Sequence, residues 1–292
     1  MRSTLLALFL IACASQTDVV TTTNDCRLTF VPDPGLRRDN AGNGRASVDA
    51  AGIVHLAYVD QVSHGAKVAT AADGLAFGAG TTPPTGNYAD HRDRIHMPDG
   101  SWRLFHLTPT YQLTMLRSTD GINFTAVSGV SYSPVAVDNG TSGVYDVFLD
   151  KAGVNLTLLY LGDLFGANNT RRATSTDGGT TFTYQARNVL GDDGVGGGPN
   201  SYVDINSLVL PDGRRCLYAM KGGMAIWSFS STDWITFAQE AGPRVSRGDW
   251  TEFPVTGLFD PTVIRLPDGR YRMYVTAQVA ADRQALVSAT TR

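Results

Sequence analysis

The sequence predicts an all-β protein, a five-bladed β-propeller in which an N-terminal strand completes the last blade. The main observation is that two sequence phrases alternate along the chain and recur five times. The second is composition: the chain has 31 glycines, while glutamate and lysine are scarce. That composition favours short strands and turns over long helices. With 292 residues, the chain is long enough to bury a large core.

The first phrase is a strand, a tight turn with glycine, and a second strand. Its clearest copy lies within FDPTVIRLPDGRYRMYVTA, residues 259–277. Asp-Gly between two apolar runs indicates a hairpin, because such a turn needs a residue with positive φ. The copies cover residues 46–60, 94–107, 146–161, 207–220 and 262–275, and their turn glycines are Gly52, Gly100, Gly153, Gly213 and Gly269.

The second phrase is a strand, a Ser-Thr-Asp turn and an aromatic residue. Three copies cover residues 115–127, 171–185 and 228–240, and a degenerate copy covers 68–80. The fifth copy is split between residues 24–32 and the C-terminal ALVSATTR. Each unit therefore holds four strands, and radial repetition protects the sheet edges. A β-sandwich and a six-bladed ring are the alternative folds, and the repeat count argues against both.

Residues 1–12 are predicted to be a signal peptide. Arg2 precedes an apolar run that is too short to cross a bilayer. The run ends in Ala12-Cys13, which resembles a bacterial lipoprotein signal with Cys13 as the lipidated residue. The alternative is a secretory signal cleaved near Ala14. We expect a lipid-anchored flexible tether at 13–24, one propeller domain at 25–292, and a place in the cell envelope, at the outer membrane or cell surface.

Charge and cysteine content limit the partners. A formal net charge of −3 does not suggest a nucleic-acid partner, which needs a basic face. Membrane contact is expected only through the lipid anchor, and the protein is expected to be a monomer. Cys26 and Cys216 lie in apolar, strand-like runs. A disulfide is open to an exported protein, but two buried free thiols are the favoured interpretation.

The run Ser175, Asp177, Gly179 and Phe182 resembles the Asp-box of sialidase-type propellers, and residues 118–124 are a looser copy. The resemblance implies that the aspartate caps an outer hairpin while the aromatic residue packs beneath it. Asp120, Asp177 and Asp233 are therefore predicted to be structural and are not catalytic candidates.

The five units, the Asp260-Pro261 blade opening and the phrase LPDGRYRMYVT resemble five-bladed glycoside hydrolases of the arabinofuranosidase, xylosidase and β-fructosidase type. The resemblance implies glycosidic bond cleavage by carboxylates that meet in a central funnel. Those enzymes use a glutamate on a middle blade as the general acid. Glu240 and Glu252, the two glutamates here, do not occupy such a position. Two functions follow: a hydrolase that acts on a glycan, or a carbohydrate-binding or scaffolding propeller that lacks the acid.

Residues just before the innermost strand of each blade should converge on the propeller axis. Counting back nine from the turn glycines gives Asn43, His91, Asp204 and Asp260. Blade three is expected to have a shorter hairpin, so its equivalent residue is Tyr145 or Asp146. Such groups are costly to bury unless they pair or face water. Strand capping and pairing with arginines is the structural alternative. The candidate catalytic residues are Asp260, Asp204, Asp146 and Asp93. The candidate substrate-binding residues are His91, Arg92, Arg94, Tyr145, Tyr202 and Trp250.

Two loops adjoin this predicted funnel. GDDGVGGGPN (191–200) lacks the Lys-Ser/Thr of a P-loop. Asp192 and Asp193 offer oxygens that suit calcium, but a pocket-rim loop without metal is favoured, and no cofactor is predicted. In the loop 247–260, Trp250 either stacks on a sugar ring or plugs a blade junction. The expected ligand is a glycan or another small polar molecule.

Overall fold

The computed structural model describes residues 26–49, 51–83, 95–121, 123–150, 153, 155–190 and 202–292. Its strands form five antiparallel sheets arranged as a β-propeller, which confirms the predicted fold class. Helix in the described ranges is limited to two single turns of 3-10 helix, at Ala136–Asp138 and Arg247–Asp249. No helix within those ranges has the length and apolar character needed to cross a membrane.

The chain begins with two short strands, β1 (Phe30–Pro32) and β2 (Arg38–Asp39). Both join the last blade. Blade one contains β3 (Ala41–Val48), β4 (Val54–Asp60) and β5 (Gly65–Ala71). An isolated bridge from Val68 to Thr81 stands in place of its outer strand, as befits the degenerate copy of the second phrase. Blade two contains β6 (Ile95–His96), β7 (Trp102–Leu107), β8 (Leu113–Ser118) and β9 (Thr125–Ala126).

The remaining blades contain the longer strands. Blade three contains β10 (Ser142–Leu149), β11 (Leu156–Gly162), β12 (Asn169–Ser175) and β13 (Thr183–Leu190). Blade four contains β14 (Val203–Val209), β15 (Arg215–Lys221), β16 (Ala225–Ser231), β17 (Ala238–Gln239) and β18 (Val245–Ser246). Blade five contains β19 (Gly257–Arg265), β20 (Tyr271–Ala280) and β21 (Arg283–Thr291). Strand β11 is buried along its whole length, because both faces of a blade pack against neighbouring blades.

The predicted hairpin turns are present at the same end of every blade. All five turn glycines have positive φ, between 73° and 87°. Each donates its N–H to the carbonyl three residues earlier, at 2.8 to 3.0 Å. We call this end of the propeller, marked by Gly52, Gly100, Gly153, Gly213 and Gly269, the lower face. The opposite end, where the inner strands begin, is the upper face.

The aspartates of the second phrase cap their own turns. Asp120 Oδ1 accepts the N–H of Asn123 at 2.8 Å. Asp177 Oδ1 accepts that of Thr181 at 3.0 Å, and Asp233 Oδ1 that of Thr236 at 2.8 Å. These carboxylates satisfy backbone donors in tight turns, which is a structural role.

The N-terminal segment closes the ring, as the sequence predicts. Strand β1 pairs antiparallel with β21, placing Phe30 opposite Thr291. The closure is reinforced by Asp33, whose Oδ2 accepts hydrogen bonds from Ser288 Oγ at 2.6 Å and Thr290 Oγ1 at 2.8 Å. Arg272 Nε lies 3.3 Å from the same oxygen. One carboxylate therefore fastens the first strand of the chain to the last.

The favoured interpretation of Cys26 and Cys216 as free thiols is wrong, because the two form a disulfide. Their Cα atoms are 5.5 Å apart although 190 positions separate them in sequence. Both residues are fully buried. Ring closure explains the pairing: the segment that leads into β1 passes the lower end of β15, where Cys216 lies next to the hairpin turn.

Candidate functional site

Four inner strands share a β-bulge near the upper face. Their pairing registers shift between Gly42 and Arg45 in β3, Gly143 and Asp146 in β10, Val203 and Asn206 in β14, and Phe259 and Thr262 in β19. At each shift the inner strand carries one residue more than its partner. A bulge of this kind bends the strand and redirects a side chain.

The first bulge residue has a left-handed backbone in three blades. Its φ is +53° at Asn43, +53° at Asp204 and +48° at Asp260. Asparagine and aspartate tolerate this conformation better than other non-glycine residues. At Asp260 the following Pro261 disfavours it further. Three of the residues predicted to converge on the axis, Asn43, Asp204 and Asp260, are thus bulge residues. The amide of Asn43 meets the backbone requirement in blade one as the two carboxylates do in blades four and five.

Asp260 and Asp204 occupy this same position on neighbouring inner strands, since β14 and β19 are in contact. Asp260 is buried, yet its carboxylate forms no hydrogen bond or ion pair with any residue in the described ranges. Its carboxylate oxygens are not among the buried atoms that lack a partner, so they are open to water or a ligand. A charged group in a largely buried residue needs such contact. Backbone geometry therefore explains why asparagine or aspartate lies at this position. It does not explain why the residue is an aspartate whose carboxylate has no partner.

The register corrects the expectation for blade three. Val144, not Tyr145 or Asp146, lies at the position of Asp204 and Asp260. Asp146 lies two residues further along. There it corresponds to Arg45, Asn206 and Thr262, which are described next.

Side chains at this second position form contacts across three of the blade junctions. Asp146 Oδ2 accepts the backbone N–H of Ser207, and Asn206 Oδ1 accepts that of Val263 at 2.9 Å. Between blades one and five, Arg45 Nη1 donates to the Pro261 carbonyl at 2.8 Å and to Thr262 Oγ1 at 3.2 Å. Asp146 therefore lies in an inter-blade contact around the axis.

Three predicted substrate-binding aromatic residues are buried. The hydroxyl of Tyr145 donates to the Phe105 carbonyl in blade two. Tyr202 is 1% exposed, and Lys221 Nζ donates to its hydroxyl at 3.1 Å. Trp250 is 6% exposed and belongs to the core shared by blades four and five, so it has little surface with which to stack on a sugar. Its position matches the blade-junction alternative.

The other predicted residues lie outside the described residues: Cys13, His91, Arg92, Asp93, Arg94, Asp192 and Asp193. Within the described ranges, no group of three or more His, Cys, Asp or Glu side chains is arranged to hold a metal ion.

The two glutamates lie at the periphery, where both contact the N-terminal segment. Glu240 Oε1 accepts the backbone N–H of Cys26 at 3.2 Å. Glu252 Oε2 accepts that of Gly35 at 2.8 Å. Neither glutamate belongs to an inner strand, so aspartates supply the axial carboxylates of blades four and five.

A cavity of about 470 Å³ opens on the upper face, where the inner strands of Asp204 and Asp260 begin, although neither aspartate lines it. Val203 and Phe259, which directly precede Asp204 and Asp260, line it together with Met220. The remaining lining residues are Asn168, Gly222, Gly223, Met224, Arg247, Thr256 and Gly257. Sequence reasoning missed this cavity because the turn between β15 and β16 and the loop before β19 resemble ordinary connections.

Sequence analysis also did not find the buried polar cluster around Asp138. Asp138 is fully buried, with Arg171 Nη1 3.1 Å from its Oδ1. Its Oδ2 accepts the Val135 N–H at 2.9 Å and the hydroxyls of Tyr160 at 3.2 Å and Tyr132 at 3.3 Å. Burial raises the pKa of the Asp138 carboxyl. The residue lies between blades two and three, outside both repeated phrases, so the repeats gave no signal for it.

Several solved structures are similar to this fold. A thermostable family-43 glycoside hydrolase has a TM-score of 0.64 at 10% identity, over 88% of this chain and 91% of its own. An endo-1,4-beta-xylanase from Bacteroides thetaiotaomicron has a TM-score of 0.62 at 12% identity, over 86% and 91%. An endo-arabinase from the same organism has a TM-score of 0.59 at 15% identity, over 90% and 96%.

No protein-family model matches the sequence, and no curated protein matches it. The fold is thus that of a five-bladed propeller whose structural neighbours include a family-43 glycoside hydrolase. At such low identities the likeness establishes the fold alone, and the chemistry must be argued from the residues.

Proposed function

We propose that this protein binds a glycan at the upper face of the propeller and hydrolyses a glycosidic bond there, with Asp204 and Asp260 as the acting carboxylates. The observation that carries the proposal is the carboxylate of Asp260, which belongs to a residue only 9% exposed and has no partner in the described ranges. Asp260 shares its bulge position with Asp204 on the adjoining strand and directly follows Phe259, which lines the upper-face cavity.

Glycoside hydrolysis requires two carboxyl groups about 5 to 10 Å apart. One protonates the leaving oxygen, and the other activates water or attacks the sugar. Glu240 and Glu252 are held at the periphery by the N-terminal segment, so the proposal assigns both roles to aspartates. Asp146 is not one of the pair, because its carboxylate accepts a backbone N–H of blade four.

A hydrolysis screen of the soluble domain with Asp204→Asn and Asp260→Asn variants tests the proposal. Because similar structures include a xylanase and an arabinase, xylan and arabinan come first in the screen. Asparagine already occupies the equivalent bulge in blade one, so both variants should fold. Each should lose activity by about a hundredfold or more, as expected when general acid–base catalysis is removed.

Asp212→Asn is the matched control, since Asp212 lies in the lower-face turn of the same blade as Asp204. Its activity should equal that of the wild type. Full activity in both Asp204→Asn and Asp260→Asn would refute the carboxylate assignment.

Glycan binding without hydrolysis is the second candidate, and the peripheral position of both glutamates favours it. Calorimetry separates the two functions. Under this candidate, the wild type binds an oligosaccharide that it never cleaves, and Asp260→Asn changes the affinity alone.

We also propose that the protein is exported, lipidated at Cys13 and held in the cell envelope. The Cys26–Cys216 disulfide supports export, because such bonds persist in oxidising compartments. Expression in a bacterium with labelled palmitate tests the anchor. The wild type should incorporate the label and sediment with membranes, and Cys13→Ala should do neither. Equal labelling of both would refute the assignment.

A further inference from the structure

We propose that the upper-face cavity is a subsite for a sugar unit that carries a carboxylate, that is, a uronate-type sugar. The inference rests on the proposed glycan-binding function and adds the chemical class of one bound unit. The volume of about 470 Å³ falls within the range of small-molecule sites, about 300 to 1,000 Å³.

The charge of the cavity is positive. Arg247 is the one charged residue among those that line it. Its guanidinium donates a hydrogen bond from Nη1 to the Thr256 carbonyl at 3.3 Å and forms no ion pair with any residue of the described ranges. A guanidinium has five N–H donors, so most of those of Arg247 are open to a ligand.

The nearby Lys221 does not compete for this role. Its Nζ donates to the Tyr202 hydroxyl at 3.1 Å and lies 4.8 Å from the centroid of that ring. It also lies 5.7 Å from the Trp227 ring. Arg247 is thus the cation that can meet a ligand in the cavity, and the planar guanidinium fork suits a carboxylate, which it binds through two parallel hydrogen bonds.

A second polar group on the cavity wall points to a ligand. Asn168 Oδ1 is buried and has no hydrogen-bond partner in the described part of the chain. A buried carbonyl oxygen without a donor is uncommon in native proteins. A sugar hydroxyl would supply the missing donor.

The turn that carries Asn168 is held firmly in place. The Asn168 N–H donates to the Asp163 carbonyl at 2.8 Å, and Asp163 Oδ2 accepts the Ala167 N–H at 2.8 Å. That second bond is the main reason why the pKa of Asp163 lies below its usual value. Asn168 is therefore preorganised, which reduces the entropy lost on binding.

Apolar side chains on the cavity wall complete the subsite. Val203, Met220 and Phe259 offer carbon surface to the C–H face of a sugar ring. A uronate placed across them would direct its carboxylate to Arg247 and a hydroxyl to Asn168. A neutral sugar would leave the guanidinium without an anion.

Binding of simple sugars tests the inference. D-glucuronate and D-galacturonate are titrated against the intact soluble domain and compared with D-glucose and D-galactose, by calorimetry or by chemical-shift changes. The wild type should bind each acid at least tenfold more tightly than its neutral counterpart. Arg247→Gln should abolish that preference, and Arg247→Lys should keep part of it. Arg270→Gln, which removes an exposed arginine at the lower face, is the matched control and should behave as the wild type does.

Three results would overturn the assignment. The first is equal affinity of the wild type for the acids and the neutral sugars. The second is an unchanged preference for the acids in Arg247→Gln. The third is equally tight binding of glucose 6-sulfate, which would show a response to charge rather than to a carboxylate. Each can occur while Asp204 and Asp260 variants still lose hydrolysis, so failure here is distinguishable from failure of the proposed function.

Discussion

The carboxylate of Asp146 on blade three accepts the backbone N–H of Ser207 on blade four. The next junction repeats the contact with a neutral side chain, where the amide oxygen of Asn206 accepts the Val263 N–H at 2.9 Å. The two junctions share an acceptor oxygen at the same position, but only one of them has a charged side chain.

Asp146 substitutions should therefore separate shape from charge. Asp146→Asn keeps an acceptor for Ser207 and should change the free energy of unfolding little. Asp146→Ala leaves a donor unsatisfied and should cost about 1 to 3 kcal/mol. Urea denaturation of both variants measures the difference. If hydrolysis fell as steeply in Asp146→Asn as in Asp260→Asn, Asp146 would belong with the acting carboxylates after all.

Two substitutions should likewise distinguish the backbone role of Asp260 from the role of its carboxylate. Asparagine tolerates the φ of +48°, so Asp260→Asn should unfold at nearly the wild-type urea concentration. Asp260→Ala should be less stable than Asp260→Asn by about 1 to 3 kcal/mol, the cost of holding an ordinary residue in that region. Equal stability of the two variants would show that the bulge relaxes.

Reduction of the disulfide should destabilise the whole ring. The bond closes a loop of 190 positions, for which the chain-entropy account gives about 5 kcal/mol. Urea denaturation with and without dithiothreitol measures the effect. A Cys26→Ser, Cys216→Ser double variant should match the reduced wild type and should not respond to dithiothreitol. A wild type whose midpoint ignores the reductant would contradict the prediction.

Arg171 should be needed to keep Asp138 buried. Arg171→Met leaves a buried carboxylate without its cation and should cost about 3 to 5 kcal/mol near neutral pH. Burial already raises the pKa of Asp138, and loss of Arg171 raises it further. An acid with a raised folded-state pKa is relieved as it takes up a proton, so the cost should shrink as the pH falls towards the unfolded value of about 3.9.

Urea denaturation at several pH values measures this trend. An Asp138→Asn, Arg171→Met double variant should recover much of the lost stability. Arg270→Met, which breaks an exposed pair with Asp268, should change the free energy of unfolding little at any pH, because solvent screens such pairs. A pH-independent cost in Arg171→Met would contradict the proposed coupling.

The repeated phrases of the sequence predicted the blades and their turns. They did not predict contacts between residues that are distant in sequence and meet only when the ring closes. The turn glycines and alternating phrases place all five blades, and counting back from a glycine finds the bulge residues Asp204 and Asp260. In blade three the same count from Gly153 gives Val144, the residue that the pairing register identifies, so the expected shift to Tyr145 or Asp146 was wrong. The hairpin there does differ in length, but its additional residue follows Gly153, because the Asp150 N–H bonds the Asn155 carbonyl. The Cys26–Cys216 bond joins positions far apart in sequence, and neither local run of residues reveals its partner.

The candidate site follows the same division. Its two aspartates are visible in the repeats. Arg247 and Asn168 lie in connections that share no phrase with the other blades, and they meet only because the folded upper face brings their loops to one cavity.

The path of the first described residues indicates which face of the propeller points away from a support when the protein is attached through its N-terminal segment. Cys26 is bonded to Cys216 beside the lower-face turn of blade four, and β1 then rises along β21 towards the upper face. The chain therefore emerges at the end opposite Asp204, Asp260 and the cavity. Attachment ahead of Cys26, whether to a lipid, a fusion partner or a sensor chip, leaves the upper face, where we propose that a glycan binds, turned away from the point of attachment. An immobilised domain should therefore bind long polysaccharides as readily as short oligosaccharides.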